Sequence, residues 1–216
     1  MVEFSLWDIL RNLLLAARWT VLLSLIAFAG GALVGSLLLL ARLSRKRPLE
    51  WFCAIYVKLF QGTPLLMQLF LIYFGMALIG VETTPWSAAV IALTLYSSAF
   101  LSEIWRGCIE SIPKGQWQAA DSLALGFFDQ MRYVIGPQAI KISIAPTVGF
   151  MVQAIKATAL ASVIGFVELT KAGTMISNAT FKPFVVFTCV GTLYFSLCYP
   201  ISWYSKRVEL KYSLKH

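Results

Sequence analysis

Long stretches with no charged side chain alternate with short clusters of Lys and Arg along this chain. Trp19 to Ala41 runs 23 residues without Asp, Glu, Lys or Arg, and Leu59 to Val81 runs another 23. Thr83 to Ser102 gives 20, and Pro183 to Ser205 gives 23. Ile142 to Val167 runs 26 residues with one interruption, Lys156. A helix needs about 20 apolar residues to cross the hydrocarbon core of a bilayer, and 23 residues make about 35 Å of helix. The pattern predicts five spanning helices, over about 19–41, 59–81, 83–105, 142–167 and 183–205, in a single all-α transmembrane domain covering 1–216. The first run is too long for a cleaved signal, has no Ala-x-Ala site behind it, and is followed by the basic stop-transfer segment Arg42–Arg47. It is expected to be retained.

Ahead of it, Leu6, Ile9, Leu10, Leu13 and Leu14 recur at helical spacing, with Asp8, Arg11 and Asn12 opposite. This segment, Ser5–Arg18, is expected to lie in the outer membrane interface as a short helix, opened by a Ser5–Asp8 capping box. Within the first span Ala27, Gly31 and Gly35 repeat every four residues. Such rows let helix backbones approach closely, either within the subunit or at a seam between subunits.

Counting Lys and Arg orients the chain. Arg42–Arg47, Arg106–Lys141 and Lys206–His216 hold four each, twelve together, against Arg11, Arg18, Lys171 and Lys182 on the other side. The N-terminus is therefore expected outside and the C-terminus in the cytoplasm.

Trp105–Lys141, with its loop at 106–141, is then the main cytoplasmic segment. Pro113-Lys-Gly115 breaks the chain, and Gln116–Leu125 has helix-forming composition. Trp117, Ala120, Ala124 and Phe127 are expected on one face. Gly126 suits the helix C-terminus, Asp129 the next N-cap, and Pro137 a further break. The small face offered by Ala119 and Ala120 suits the groove of another protein, with Ala120 pointing into it.

Composition narrows the chemistry. Charged residues make up 13% of the chain and hydrophobic ones 59%, where a soluble domain carries about 25% charged. The net charge of +8 sits between apolar runs and not on one aromatic-studded face, which argues against nucleic acid and for a lipid surface. Cys53, Cys108, Cys189 and Cys198 lack metal-ligand spacing, and the only histidine is His216, so no metal site is expected. A membrane enzyme would need a cluster of His, Cys or acidic residues at one depth. A secondary transporter or channel subunit is the alternative, but it would need an internal repeat and usually an embedded carboxylate, and neither is seen. Lys156 in mid-span reads either as lining a permeation path with Thr158 or as a Lys paired with backbone carbonyls or a carboxylate for packing. Glu103 and Arg106 read as a structural i,i+3 pair. Glu168 reads equally as a gate residue or an interfacial charge.

Several blocks together resemble a known family. Pro113-Lys-Gly-Gln116, Gln118-Ala-Ala120 and Pro137-Gln-Ala139 resemble the EAA coupling loop of bacterial ABC importer permeases. Gly62–Gly75, Ser102–Gly107 and Ile155–Leu169 resemble blocks of its polar amino acid branch, the histidine/glutamine type. The likeness covers roughly 19–210. It implies a type I ABC importer (MetI-like) permease fold in the bacterial cytoplasmic (inner) membrane. The implied chain is a transport subunit without catalysis or cofactor. Its substrate would be a polar amino acid or related small solute, brought by an extracytoplasmic solute-binding protein. A separate ABC ATPase dimer would bind the ATP, since no Gly-rich GK[ST] loop is present here. The resemblance implies Gln118, Ala119, Ala120, Asp121, Leu123 and Gly126 as the ATPase-coupling residues. Thr63, Lys156, Thr158 and Glu168 are the candidates for the substrate path.

The chain departs from the family pattern at Gln61, Gln118, Ala124 and Gly136. Gly149, Phe150, Ala157 and Ala159 stand where many relatives carry polar residues. A zwitterionic substrate needs partners for both of its charges, so the second permease subunit is expected to be a different chain. Cysteines placed at Glu82 and Lys171 should react with an impermeant label added outside, and those at Lys114 and Lys211 only after the membrane is opened. Outside labelling at Lys114 would overturn the topology.

Overall fold

The computed structural model describes residues 5–44 and 46–213. Arg45 of the stop-transfer segment and His216 lie outside the described residues. Nine helices follow one another in the described chain. Four of them are long and apolar enough to span a membrane, and one bent pair makes a fifth span.

α1 runs from Leu6 to Leu43 without interruption, 38 residues or about 57 Å. Ser5 caps it: its hydroxyl accepts from the Asp8 amide and the Asp8 carboxylate accepts from the Ser5 amide. The expected separate interfacial helix over Ser5–Arg18 is therefore not formed. No Gly or Pro separates Arg18 from Trp19, so nothing interrupts the hydrogen-bond ladder. Ile9 and Leu13 are buried in a cluster with Leu169, Ala172 and Ile176 of α8 (Leu169–Thr180) and Val186 and Val190 of α9 (Pro183–Ser213).

The predicted second span also differs. α2 starts at Arg47 and ends at Gly62, and α3 covers Leu65–Leu78 after a bend of 103°. Pro64 has no N–H and forces the residue before it out of the helical region. Thr63 accordingly sits at φ −117, ψ 143. α4, Pro85–Glu110, opens on a Thr84–Ser87 capping box with Pro85 in its first turn. It runs beyond the expected 83–105.

The fourth span ends early. α7 covers Gly136–Ala157, and the chain tightens to a 3-10 turn at Thr158–Ser162 before Gly165 reverses it at φ 91. It does not continue as helix to Val167. α9 reaches Ser213, beyond the expected 183–205.

The small-residue row of α1 packs on α4 within the subunit. A Cβ on Gly31 would overlap Ser97, and one on Gly35 would lie 3.0 Å from the Ser98 carbonyl oxygen. Ala27 joins a core with Leu23, Leu65, Leu69, Leu93 and Ile164. The Tyr56 hydroxyl then ties α2 to α4, 2.7 Å from the Ser98 hydroxyl and donating to the Leu95 carbonyl at 3.1 Å.

Gly31→Ala should lower the thermal midpoint of the purified subunit, since overpacking costs about 1–3 kcal/mol. Gly191→Ala, on an exposed stretch of α9 with nothing within 4 Å, should leave it unchanged or raise it. Equal midpoints for the two variants would show that the α1–α4 contact is loose.

Candidate functional site

The loop after α4 folds into α5 (Lys114–Ser122), a single turn α6 (Phe127–Asp129) and a π-helical segment (Gln130–Ile135) that runs straight into α7. Trp117 packs on Ile109, Ile112, Ile135 and Ala139, with Leu39 and Leu43 of α1 nearby in the same cluster. Gln130 is buried and fastens the far end of α5. Its Nε2 donates to Asp121 Oδ1 at 2.6 Å and to the Leu125 carbonyl at 2.8 Å. Gln138 Nε2 holds the near end through Gln116 Oε1 at 3.2 Å and the Val134 carbonyl at 2.8 Å.

This anchoring decides which side of α5 is free. Gln118, Ala119, Asp121, Leu123 and Gly126 are exposed. Ala120 is not: only 1% of its surface is accessible. The expectation that Ala120 points into a partner's groove is corrected, because α5 turns that side chain toward its own subunit. The loop's punctuation is also corrected. Ala124, at φ 55, takes the left-handed position that ends α5. Gly126, at φ −64 and ψ 159, is instead the N-cap of the next turn, so Asp129 lies inside that turn and does not cap it. Pro137 does not break the chain. It sits in the second position of α7, and the helix continues through it from the π segment. Gly136 is required by the π segment: its N–H donates to the Met131 carbonyl, which any Cβ there would overlap.

The four path candidates separate into two kinds. Thr63 is exposed at the α2–α3 break. Its hydroxyl donates to the Leu59 carbonyl at 2.8 Å and accepts from Gln68 Nε2 at 2.9 Å. Gln68 Nε2 also reaches the carbonyls of Phe60 at 2.9 Å and Thr63 at 3.1 Å, so one side chain closes the gap that Pro64 opens. Gln61 through Pro64 remain exposed on the subunit. Lys156 is exposed too, in the last turn of α7, where a cation favours the helix dipole.

Thr158 and Glu168 are enclosed. Thr158 is fully buried and donates to the Ile155 carbonyl at 2.7 Å. Glu168 is likewise fully buried and caps α8. Its carboxylate accepts from the Thr170 and Lys171 amides at 2.9 Å each and from the Tyr194 hydroxyl at 2.8 Å. Thr20 of α1 completes the knot, donating to Glu168 at 3.4 Å and accepting from the Leu169 amide at 3.1 Å. Glu168, expected either as a gate residue or as an interfacial charge, is enclosed within the subunit, where it joins α1, α8 and α9.

The apolar quartet does not form one lining either. Gly149 faces the Ser205 hydroxyl, and Phe150 stacks on Phe100 with centroids 5.6 Å apart. Ala157 packs on the main core, and Ala159 is half-buried. Glu103 and Arg106 do pair, and Arg42 and Glu110 extend the pair into a network of four. Arg42 binds Glu103 at 2.7 Å and so joins the inner ends of α1 and α4. Among the described residues no three His, Cys, Asp or Glu side chains gather as a metal would need. Sequence reasoning missed Gln68, Gln130, Tyr194 and Thr20. A lone Gln inside Leu65–Leu71 was the one visible signal.

Removing the Glu168 carboxylate leaves the Thr170 and Lys171 amides without an acceptor, at about 1–3 kcal/mol for each buried group, and leaves Tyr194 only the Thr170 hydroxyl. Glu168→Ala should therefore sharply reduce folded subunit and thermal midpoint, with Glu168→Gln between it and the parent. An Ala variant of parental stability but altered transport would restore the gate reading.

Residues 31–213 match the family described as binding-protein-dependent transport system inner membrane component. The chain is 32% identical to a probable amino-acid ABC transporter permease of Bacillus subtilis (YckA), over 99% of each chain. It is 34% identical to the L-cystine transport system permease TcyB of the same organism, over 97% of this chain and 88% of that one. A crystal structure of an amino acid ABC transporter with histidines superposes with a TM-score of 0.92 at 32% identity, over 98% of this chain and 99% of that one. An inward-facing MetNI methionine ABC transporter superposes with a TM-score of 0.71 at 21% identity, over 98% and 99%, and that likeness concerns the fold alone. With the family match spanning most of the chain and the helices in the MetI-like order, this chain belongs to the binding-protein-dependent inner membrane component family, as a multi-pass ABC importer permease.

Proposed function

We propose that this chain imports polar amino acids or closely related small solutes, delivered by an extracytoplasmic binding protein. Its N-terminus lies outside and its C-terminus in the cytoplasm. Two copies of a separate ATPase bind and hydrolyse ATP, one seated on the free side of each permease's α5. The observation that carries this reading is the outward row Gln118, Ala119, Asp121 and Leu123, presented by a helix whose other side is anchored through Trp117, Ala120 and Gln130. The relatives named for amino-acid and cystine transport support the substrate class.

A second permease completes the path, and we assign it a different sequence. The exposed break at Gln61–Pro64 needs covering or wetting. The exposed Lys156 brings only a cation, which answers a substrate carboxylate but not its ammonium. A partner chain with an acidic or amide group answers both.

The test is ATP-dependent uptake by the chain co-expressed with its ATPase and binding protein, with and without a second permease. Ala119→Arg should insert normally yet lose uptake and ATPase retention at least about tenfold, because an unpaired interfacial charge costs about 2–5 kcal/mol. Ala120→Arg should instead lower the yield of folded subunit. Normal uptake by the Ala119 variant would remove α5 as the docking element. Full uptake without a second permease would show a symmetric pair.

A further inference from the structure

Gln68 is the one polar side chain in residues 65–71 of α3, and it is only 6% exposed. It reaches back across Pro64 to the end of α2. Its Nε2 lies 2.9 Å from the Phe60 carbonyl, 3.1 Å from the Thr63 carbonyl and 2.9 Å from the Thr63 hydroxyl. An amide nitrogen carries two hydrogens, so these three acceptors share two donors. The Oε1 of the same side chain is buried and has no donor among the described residues. A buried polar atom without a partner costs stability, and an apolar side chain of the same length would leave no such atom. Gln68 therefore serves through its N–H groups, and a local cost of this kind is the mark of a functional demand.

Those N–H groups settle the polarity of Thr63. A hydroxyl has one hydrogen and two lone pairs. The Thr63 hydrogen goes to the Leu59 carbonyl at 2.8 Å, and Gln68 takes one lone pair. The Thr63 hydroxyl is left with a single lone pair, which can only accept. A free hydroxyl rotates to suit a donor or an acceptor, whereas this one is held. Thr63 is exposed together with Gln61, Gly62 and Pro64, and a Cβ on Gly62 would meet nothing within 4 Å. The held lone pair thus belongs to an open stretch of the subunit. Leu65, just after the break, shares a core cluster with Ala157, which follows Lys156. Thr63 and Lys156 therefore flank the same core.

We infer that Gln68 is a positioning residue for transport, which holds Thr63 as an acceptor for the ammonium group of the passing solute. The inference rests on the amino-acid substrate proposed above. Ammonium is the donor that amino acids have in common, and the exposed Lys156 is suited to the carboxylate. Thr63 is neutral, so it orients the ammonium, and the acidic or amide group assigned to the second permease still answers its charge. Gln68 is buried and acts only through Thr63.

The test uses the full chain assembled with its ATPase and second permease. L-glutamine, L-arginine and L-cystine are first offered for ATP-dependent uptake with the binding protein present. The one imported is then bound to the purified complex without binding protein, beside the same molecule lacking its α-amine. The parent should prefer the amino acid. Thr63→Val should weaken that preference about tenfold, as loss of one hydrogen bond from a charged donor does, and should leave the thermal midpoint unchanged. Thr63→Ser should keep the preference. Gln68→Met should weaken it as much as Thr63→Val, and the double variant no further, because residues acting through one contact are not additive. A preference untouched by Thr63→Val would mean that the lone pair holds water only, and would overturn the inference whether or not Gln68→Met assembles. Additive losses in the double variant, or a Gln68→Met complex of lowered midpoint and full preference, would make Gln68 a structural residue alone. Uptake by a parent complex that binds both molecules equally, or neither, would sink the inference and leave the amino-acid reading standing. Uptake of none of the three would take both.

Discussion

Hydrocarbon offers no hydrogen bonds, so each backbone N–H and C=O at membrane depth must find a partner within the protein or in trapped water. At two places where this chain leaves regular helix, a side chain has taken over that duty. At the α2–α3 break Gln68 serves the carbonyls of Phe60 and Thr63. At the start of α8 Glu168 and Thr20 serve three successive amides, those of Leu169, Thr170 and Lys171. Gln68 and Glu168 are thus buried where a helix is interrupted, whereas the buried Ser24, Ser97, Ser98 and Ser102 lie within α1 and α4.

The loop after α4 is tied to the spans by apolar packing. α5 shares an apolar cluster with the adjacent ends of α1, α4 and α7 through Trp117, Leu43, Ile109 and Ile142. Arg42, Glu103, Arg106 and Glu110 form a polar layer on α1 and α4 close by. The exposed side of α5 is therefore backed by side chains packed against three helices. Further along α1, the Gly31–Ser97 contact brings the backbones of α1 and α4 close together.

Five spans were legible because charge-free runs of 20 residues or more have few explanations besides a bilayer. Helix caps at Ser5 and Thr84 were likewise local, and the Ser5 cap was read from four consecutive residues. What failed depended on distant partners or on continuity. Charge counting placed a boundary at Arg18, yet backbone hydrogen bonds take no notice of a charged side chain, and α1 runs through it. Pro64 lay inside an apolar run and was read as part of a span, although its missing N–H bends the chain by 103°. Glu168 looked like a charge at a span's end because its partners Thr20 and Tyr194 lie 148 and 26 residues away. Ala120 looked suited to a groove because a small side chain fits either a partner or its own subunit, and only Gln130 and Trp117 decide which.

The π segment at Gln130–Ile135 carries a phase slip. Each residue of an α-helix turns the chain by about 100°, and a π turn takes in one residue more than an α turn. Side chains before and after the segment are therefore displaced by about one such step from the pattern that an unbroken helix would give. Any 3.6-residue template laid from Phe127 through to Ile142 loses its register midway, so helical periodicity cannot relate the two sides of this loop. Losing one residue from the segment would restore a regular helix while keeping the sequence of α5 intact. It would also rotate everything upstream about the axis of α7, so the outward row would survive in composition and point elsewhere. The length of this segment, as much as the identity of its residues, sets the bearing of α5.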